Sequence, residues 1–330
     1  MILLKDIYYE VFQYLDAVDI YNLMTMNTKY YAMISQSLWK VQYNTKQSQM
    51  PPSGIFNVFK LTIDAFHLDT ITLGKHLREL VVYNYNRKVE MVNYPLLRKL
   101  SMISCKDVVI DLPLIEQLNI AYSNATIIDC RSVYHLDISS TNIREIPYAP
   151  KLKNLYLDDT CVKTISHIPN LQVLSLEETY ITELPDCSTL NHLNISRTSF
   201  TESYLLTALK NACHLNQLEM EGLIITSLIL ECLIRCNCPM IELNLNDTSL
   251  YSHDILYLIK NSNVEALSLD NTKVDDQLID HLLQNPFKLT YLSLLDIKLT
   301  PNKVKKLSLL STMDLYTSVE LSHSAFTYFQ

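Results

Sequence analysis

The sequence predicts an α/β solenoid, a coil of short repeated units that each place one strand in a parallel sheet. The stretch from Lys151 to Leu184 contains two adjacent copies of one pattern. Apolar residues match at every position, nineteen residues apart: Leu152, Leu155, Leu157, Val162 and Ile165, then Leu171, Leu174, Leu176, Ile181 and Leu184. This spacing fits neither one helix nor one strand, and is typical of a strand, a turn and a second inward contact.

Carried outward, the pattern gives twelve units. They begin at Val58, Leu77, Leu97, Ile115, Val133, Leu152, Leu171, Leu190, Leu215, Met240, Val264 and Leu289. The intervals are 18–20 residues up to Leu190 and 24–25 residues from there on. A short unit has no room for a helix, so its outer arc should be extended or a single 3₁₀ turn. The longer units show helical patterns after Glu202, Asp254, Asp276 and Pro301, which predicts a thin back to about residue 198 and a helical back beyond it.

The pattern Leu-x-x-Leu-x-Leu-x-x-(Asn/Cys/Thr)-x-Leu over residues 58–310 resembles the leucine-rich repeat. The resemblance implies a right-handed horseshoe with a parallel concave sheet of about twelve strands. Threonine replaces the family's usual asparagine after the strand, and we expect its hydroxyl to bond the turn backbone. These threonines are Thr141, Thr160, Thr179, Thr198, Thr248 and Thr272.

Residues 1–43 carry helical stripes that predict a module of three short helices. Their order, from Leu3 through Phe12-x-Tyr14-Leu15-x-x-x-Asp19-Ile20 to Leu38-Trp39, resembles the F-box, although Leu4 stands where that family has a proline. The resemblance implies docking on a Skp-type adaptor through Leu3, Leu4, Ile7, Val11, Phe12, Leu15, Ile20, Leu23, Met26, Tyr30, Leu38 and Trp39. The alternative is a helical cap that shields the first repeat.

The remaining boundaries follow from composition. Residues 44–57 are polar and then rich in Pro and Gly, which predicts a linker. Residues 58–310 form the solenoid, and residues 311–330, which fit no template, are expected to cap its open end.

Composition excludes several function classes. The net charge of −8 disfavours nucleic acid or an anionic membrane as the main partner. The chain has three glycines and none of the common catalytic motifs, so we expect no catalytic residue, no metal and no cofactor. Cys213 with Cys232, Cys236 and Cys238 raises the alternative of a zinc site, but thiols lining a helix are favoured.

Compartment is inferred from the cysteines. Cys105, Cys130, Cys161, Cys187 and Cys213 recur about once per unit, as single buried thiols would. This predicts a reducing compartment, the cytoplasm or nucleus of a eukaryotic cell. Richness in Ile, Asn, Lys and Tyr is typical of AT-rich genomes, such as those of protists or of large DNA viruses that act in a host cell.

The strand positions that face outward are strongly acidic. The third, fifth, seventh and rim eighth positions hold thirteen acids and three bases, against 35 and 27 in the whole chain. The acids are Asp64, Glu79, Asp137, Asp158, Asp159, Glu177, Glu178, Glu219, Glu221, Glu242, Asp247, Asp270 and Asp296, and the bases are Lys60, Lys99 and Arg197. The pattern predicts a groove for a basic partner; the alternative is a face kept acidic for solubility. The candidate substrate-binding residues are Asp137, Tyr156, Asp158, Glu177, Glu178, Arg197, Glu219, Glu221, Glu242, Asp270 and Tyr291.

Together these observations predict a non-enzymatic substrate-recognition subunit of a Skp–cullin–F-box ubiquitin ligase. In this interpretation the helices hold the adaptor, and through it the cullin, while the repeats hold a substrate protein. The alternative is a protein-interaction scaffold whose N-terminal helices are a cap.

Overall fold

The computed structural model describes residues 38–44, 57–65, 77–165, 168–235, 239–285, 287–309 and 313–318. The chain forms two compact units, Met1–Val162 and Lys163–Gln330. The predicted helices before Leu38, most of the predicted linker and residues 319–330 lie outside the described residues. No helix in the described ranges is long and apolar enough to cross a membrane.

The first unit is built from two parallel sheets. The larger has the order β1-β2-β3-β5-β7-β9-β10, and the smaller has the order β4-β6-β8. Their bounds are β1 Leu38–Asn44, β2 Asn57–Asp64, β3 Glu79–Tyr83, β4 Val89–Val92, β5 Lys99–Ile103, β6 Val108–Asp111, β7 Gln117–Asn119, β8 Ala125–Asp129, β9 His135–Asp137 and β10 Asn154–Tyr156. The smaller sheet occupies the outer arcs of three repeats, those that begin at Leu77, Leu97 and Ile115, so the predicted extended backing is confirmed there.

The second unit has seven parallel strands in sequence order, backed by five helices. The strands are β11 Val173–Ser175, β12 His192–Asn194, β13 Gln217–Glu219, β14 Glu242–Asn244, β15 Ala266–Ser268, β16 Tyr291–Leu294 and β17 Asp314–Thr317. The helices are α1 Glu202–Asn211, α2 Ser227–Arg235, α3 Ser252–Asn261, α4 Asp276–Gln284 and α5 Pro301–Ser308. Helical backing therefore begins where the intervals lengthen, as predicted.

Local sequence explains where these helices begin. Asp254 accepts a hydrogen bond from the Tyr251 amide at 3.0 Å before α3, and Asp275 accepts one from the Gln277 amide at 3.0 Å before α4. Pro301 opens α5, where its missing amide hydrogen costs nothing. Helix α2 has no acidic residue in its first turn, and the sequence analysis assigned it no start.

The repeat pattern fixes the core. The first residue of each unit from Leu77 to Leu289 is at most 3% exposed. In the two adjacent copies of the pattern between Lys151 and Leu184, Leu155, Leu157, Leu174 and Leu176 are fully buried. The last apolar position is looser, because Ile165 and Leu184 are only half-buried.

The predicted threonine hydrogen bonds are confirmed. Each Oγ1 donates to the carbonyl three residues earlier, as in Thr160 to Leu157 at 2.6 Å and Thr179 to Leu176 at 2.7 Å. Thr141, Thr198, Thr248 and Thr272 repeat the bond at 2.6–2.7 Å. The hydroxyl thus satisfies a carbonyl that the turn would otherwise leave poorly paired.

A left-handed residue occupies the eighth position of each repeat from Leu77 to Leu289. From Asn84 to Asp296 the eighth residue of each unit has φ between 51° and 70°, and Gly222 is the one glycine among these eleven residues. In nine of the eleven, the amide of this residue donates a hydrogen bond to the carbonyl of the seventh residue of the next repeat, as in Arg197 to Glu221 at 2.7 Å. This geometry turns the chain out of the sheet at the same place in each unit. Three side chains that rarely adopt it, those of Tyr122, Glu178 and Arg197, are held in it.

The strands extend beyond both predicted ends of the repeats. Strand β1 pairs in parallel with β2, with Val41 opposite Leu61 and Tyr43 opposite Ile63. Strand β17 pairs with β16, with Leu315 opposite Leu292. The two units therefore hold seven parallel strands each in their main sheets, against about twelve predicted in all.

Two of the cysteine predictions are wrong. Cys105, Cys130 and Cys187 are buried as expected, but Cys161 and Cys213 are exposed. Cys161 directly follows Thr160 on the turn, and its side chain is exposed although those of Thr160 and Val162 on either side are buried. Burial raises the pKa of the thiols of Cys105, to about 11, and of Cys130 and Cys187, to about 12.

Candidate functional site: the open face of the strands

The third, fifth and seventh residues of the repeats, with the eighth residues at its rim, form the side of each sheet that carries no backing elements, which we call the open face. In the compact unit Met1–Val162, the predicted bases Lys60 and Lys99 of the open face neutralise the acid Glu79. Glu79 lies between two lysines, with Nζ of Lys60 at 3.1 Å and Nζ of Lys99 at 3.9 Å from its carboxylate oxygens. This end of the face therefore carries no excess negative charge.

The candidate residues of the first unit are partly used by the fold. Asp137 accepts hydrogen bonds from Asn119 Nδ2 at 2.8 Å and from the Ser139 amide at 3.1 Å, so it ties β7 to β9. Tyr156 packs against His135 with ring centroids 5.4 Å apart. Burial raises the pKa of Tyr156 and lowers that of His135, so both rings favour their neutral forms. Asp158 is half-buried on the same face.

The second unit holds a charged cluster centred on Arg197, which we call the Arg197 cluster. The guanidinium Nη1 lies 3.0 Å from Glu178 and 3.4 Å from Glu177. Nη2 bonds Glu221 and lies 3.9 Å from Asp247. The left-handed turn explains this contact, because it directs Arg197 across the ends of the neighbouring strands. Four carboxylates around one guanidinium leave a formal charge of −3.

Burial and repulsion act together on Glu221. Burial is the largest cause and raises the pKa of Glu221. The Arg197 charge lowers this pKa, and the charges of Asp247 and Glu177 raise it further. The pKa of Arg197 is raised by its hydrogen bond to Glu178 and by the charge of Glu221. The one guanidinium therefore does not fully compensate the acids around it, and a second cation would be attracted here.

The other predicted acids differ in whether their carboxylates already have hydrogen-bond partners within the fold. Asp270 accepts hydrogen bonds from Ser293 Oγ at 2.6 Å and from the Leu295 amide at 2.7 Å, so it holds β15 to β16. Glu219 Oε1 lies 2.9 Å from His192 Nε2. Glu242 is exposed and has no side-chain partner among the described residues.

A shallow depression of about 220 Å³ lies on the open face between β13 and β16. Its floor is formed by the small residues Ala266 and Ser268, and Tyr291 and Glu242 stand on either side. Tyr316 on β17 packs against Tyr291 with ring centroids 5.2 Å apart. Tyr316 was not among the predicted site residues, although the spacing of 23 residues from Leu292 to Leu315 indicates its strand.

The described residues contain no group of three or more His, Cys, Asp or Glu side chains placed to hold a metal ion. Cys213 and Cys232 line a depression between α1 and α2, on the side away from the open face. Cys236 and Cys238, the other members of the zinc alternative, lie outside the described residues.

The predicted adaptor-binding residues cannot be compared in the same way. Ten of them, Leu3, Leu4, Ile7, Val11, Phe12, Leu15, Ile20, Leu23, Met26 and Tyr30, lie outside the described residues. Leu38 and Trp39 belong to β1, whose backbone pairs with β2 in the solenoid sheet. The adaptor role of all twelve residues stays a prediction.

Comparison with protein-family models found no match, and comparison with curated proteins found none either. Among solved structures the chain is similar to an internalin (inlF) from Listeria monocytogenes, with 16% identity, 92% of this chain and 95% of that chain covered and a TM-score of 0.61. A crystal structure of the mouse RP105/MD-1 complex matches with 16% identity, 79% of this chain and 51% of that chain covered and a TM-score of 0.48. The likeness to the internalin shows the fold, and with the repeating strands and turns it establishes that this chain is a leucine-rich-repeat solenoid.

Proposed function

We propose that this chain is a non-enzymatic protein-interaction scaffold, and that the open face of the second unit binds a basic segment of a partner protein. The Arg197 cluster carries this proposal, since four carboxylates converge there on a single cation. A face kept acidic for solubility alone would be expected to spread its charges. Convergent charge instead attracts an opposite charge and speeds association at low salt.

The test removes charge without reversing it, because lysines beside Arg197 would repel that guanidinium and disturb the fold. The variant Glu177→Gln/Glu178→Gln/Glu221→Gln is used as bait beside the unmodified chain, and captured proteins are quantified by mass spectrometry. The matched control is Glu145→Gln/Glu183→Gln/Glu231→Gln, which changes the net charge equally at residues off the open face.

We expect basic partners captured by the unmodified chain and by the control to be depleted at least about fivefold with the cluster variant, and 0.5 M salt to reduce the difference. Equal capture by all three baits would place the binding surface elsewhere.

A finer proposal is that the scaffold serves as the substrate-recognition subunit of a Skp–cullin–F-box ubiquitin ligase in the cytoplasm or nucleus. It is supported by the resemblance of residues 3–43, from Leu3 to Leu38-Trp39, to the F-box. Ubiquitin transfer would be performed by other subunits, and the repeats would set which substrate lysines come within reach. Because β1 begins at Leu38, we assign the main adaptor contact to residues before it.

This finer proposal is tested by binding the purified full chain to an immobilised Skp adaptor. The double variant Ile7→Asp/Phe12→Asp should lose at least about tenfold in affinity, since it places two charges on an apolar docking stripe. Tyr148→Ala, at a residue 75% exposed in the first unit, is the control. No adaptor binding by the unmodified chain would reject the ligase role and leave the scaffold role standing.

A further inference from the structure

The depression between β14 and β16 exists because one repeat carries small side chains. Ala266 and Ser268 occupy the third and fifth positions of the repeat that begins at Val264, opposite Glu242 and Asn244 on one side and Tyr291 and Ser293 on the other. Neighbouring strands lie about 4.8 Å apart, so β14 and β16 are about 10 Å apart across this gap. That width admits one flat or unbranched side chain between the Tyr291 ring and the Glu242 carboxylate.

The aromatic wall of the gap is held in place. Tyr316 on β17 packs against Tyr291 from the side away from β15, with ring centroids 5.2 Å apart and planes at 38°. Tyr291 is half-buried, so its side toward Ala266 can meet an incoming group while its other side is covered. A cation within about 6 Å of such a ring centroid is attracted by the ring quadrupole.

The opposite side of the gap is negative. Glu242 is exposed and unpaired among the described residues, and Glu219 on β13 also lines the depression. Glu219 Oε1 lies 2.9 Å from His192 Nε2 on β12. Among the described residues, no lysine or arginine lines the depression. The Glu242 carboxylate therefore faces an aromatic ring across a floor of small residues, with Glu219 one strand further away.

We propose that this depression, which we call the Tyr291 pocket, binds a single arginine side chain of the partner protein. The guanidinium stacks on Tyr291 and donates hydrogen bonds to Glu242, while the charge of Glu219 on the next strand adds electrostatic attraction. The identification of the partner as a basic protein rests on the proposed function above. The pocket adds the residue type and the place at which the partner is anchored.

Arginine is favoured over lysine by the shape of the site. A guanidinium is planar, stacks on aromatic rings and presents several donors in a fixed fork, so it can use the ring and the Glu242 carboxylate at once. An ammonium is compact and strongly hydrated, and it would meet the carboxylates without using the face of the ring. The gap is also open to solvent, which suits a side chain that arrives from a separate chain.

The pocket is tested on the full chain without any partner. Its probe is N-acetyl-arginine N-methylamide, titrated while the amide resonances of Ala266 and Ser268 are followed by NMR. N-acetyl-citrulline N-methylamide has nearly the same shape without the charge and serves as the matched control, and the lysine derivative tests the choice of cation. We expect saturable shifts with the arginine probe, weaker binding of the lysine probe and no saturable shift with citrulline.

Two variants locate the binding. Ala266→Phe fills the floor and should abolish the saturable shifts at Ser268, while Glu242→Gln should weaken binding about threefold to fivefold. Glu231→Gln, on the outer side of α2, should change nothing. The proposal is overturned if citrulline shifts the same amides as strongly, if lysine binds as well as arginine, or if Ala266→Phe binds normally. A silent titration would reject the pocket alone, whereas equal capture by the cluster variant described above would reject the proposed function.

Discussion

The hydroxyl of Thr179 offers the sharpest test of how a threonine replaces the usual asparagine. Its side chain is 3% exposed, and Oγ1 donates to the Leu176 carbonyl at 2.7 Å. The same carbonyl also accepts the Thr179 amide at 3.2 Å. Thr179→Val keeps nearly the same volume, so it opens no cavity and removes one hydrogen bond. Because the carbonyl keeps its second partner, the cost should be near one buried hydrogen bond, about 1 kcal/mol, and well below the roughly 3 kcal/mol of an orphaned group.

The assay is urea unfolding followed by circular dichroism, with thermal unfolding as a second measurement. A loss of 1 kcal/mol should lower Tm by about 2–4 °C. Thr207→Val is the control, since Thr207 is exposed on α1 and donates to the Ser203 carbonyl at 2.9 Å, where water can replace it. The reasoning is refuted if Thr179→Val destabilises the protein no more than Thr207→Val does.

Three further predictions concern the turns, the pH dependence and the thiols. Gly222→Ala should cost about 1–2 kcal/mol in urea unfolding, since φ is +70°, and Gly222→Asn should cost less, because asparagine tolerates this conformation. An equal loss for the two variants would contradict this. The pKa of Glu221 is raised in the folded state, so the folded protein binds this proton more tightly and stability should fall as pH rises above 4.5. Glu221→Gln should remove that part of the fall, measured as Tm from pH 4 to 7; an unchanged profile would count against it. Iodoacetamide at pH 8, followed by peptide mapping, should label the exposed thiols of Cys161 and Cys213. It should leave unlabelled the buried thiols of Cys105, Cys130 and Cys187. Labelling of Cys187 in the folded protein at the rate of Cys161 would contradict the assignment.

The core was predictable from sequence because the leucine spacing reports directly on burial. The first residue of every unit from Leu77 onward lies in the core as expected. The threonine hydrogen bonds were also predictable, since a hydroxyl at that place has few other acceptors. The two outer strands were missed because neither carries the Leu-x-x-Leu-x-Leu spacing of the repeats: β1 has Leu38, Val41 and Tyr43, and β17 has a single Leu315. Backbone pairing with a neighbour, which spacing does not encode, adds them to the sheets.

The candidate site was predictable in composition but not in connectivity. Counting charges identified an acidic face, yet it treated Asp137 and Asp270 as equivalent to Glu242. The structure shows that the first two hold strands together, while Glu242 has no partner among the described residues. Which acids converge on Arg197 depends on the direction in which the left-handed turn projects that side chain. The Tyr291 pocket was missed because it arises from small residues, which a search for charged or aromatic groups overlooks.

The recurring left-handed residue at the eighth position of the repeats combines a constant backbone conformation with a variable side chain. The backbone there is fixed by hydrogen bonds to the next unit, while the side chain is as different as tyrosine, glutamate, arginine and asparagine. Substitutions at that place can thus alter what the surface recognises at a small cost in stability. Insertions are constrained in the opposite way. Inserting or deleting part of a repeat would turn buried leucines toward water, so homologues of this chain should differ in length by whole repeats.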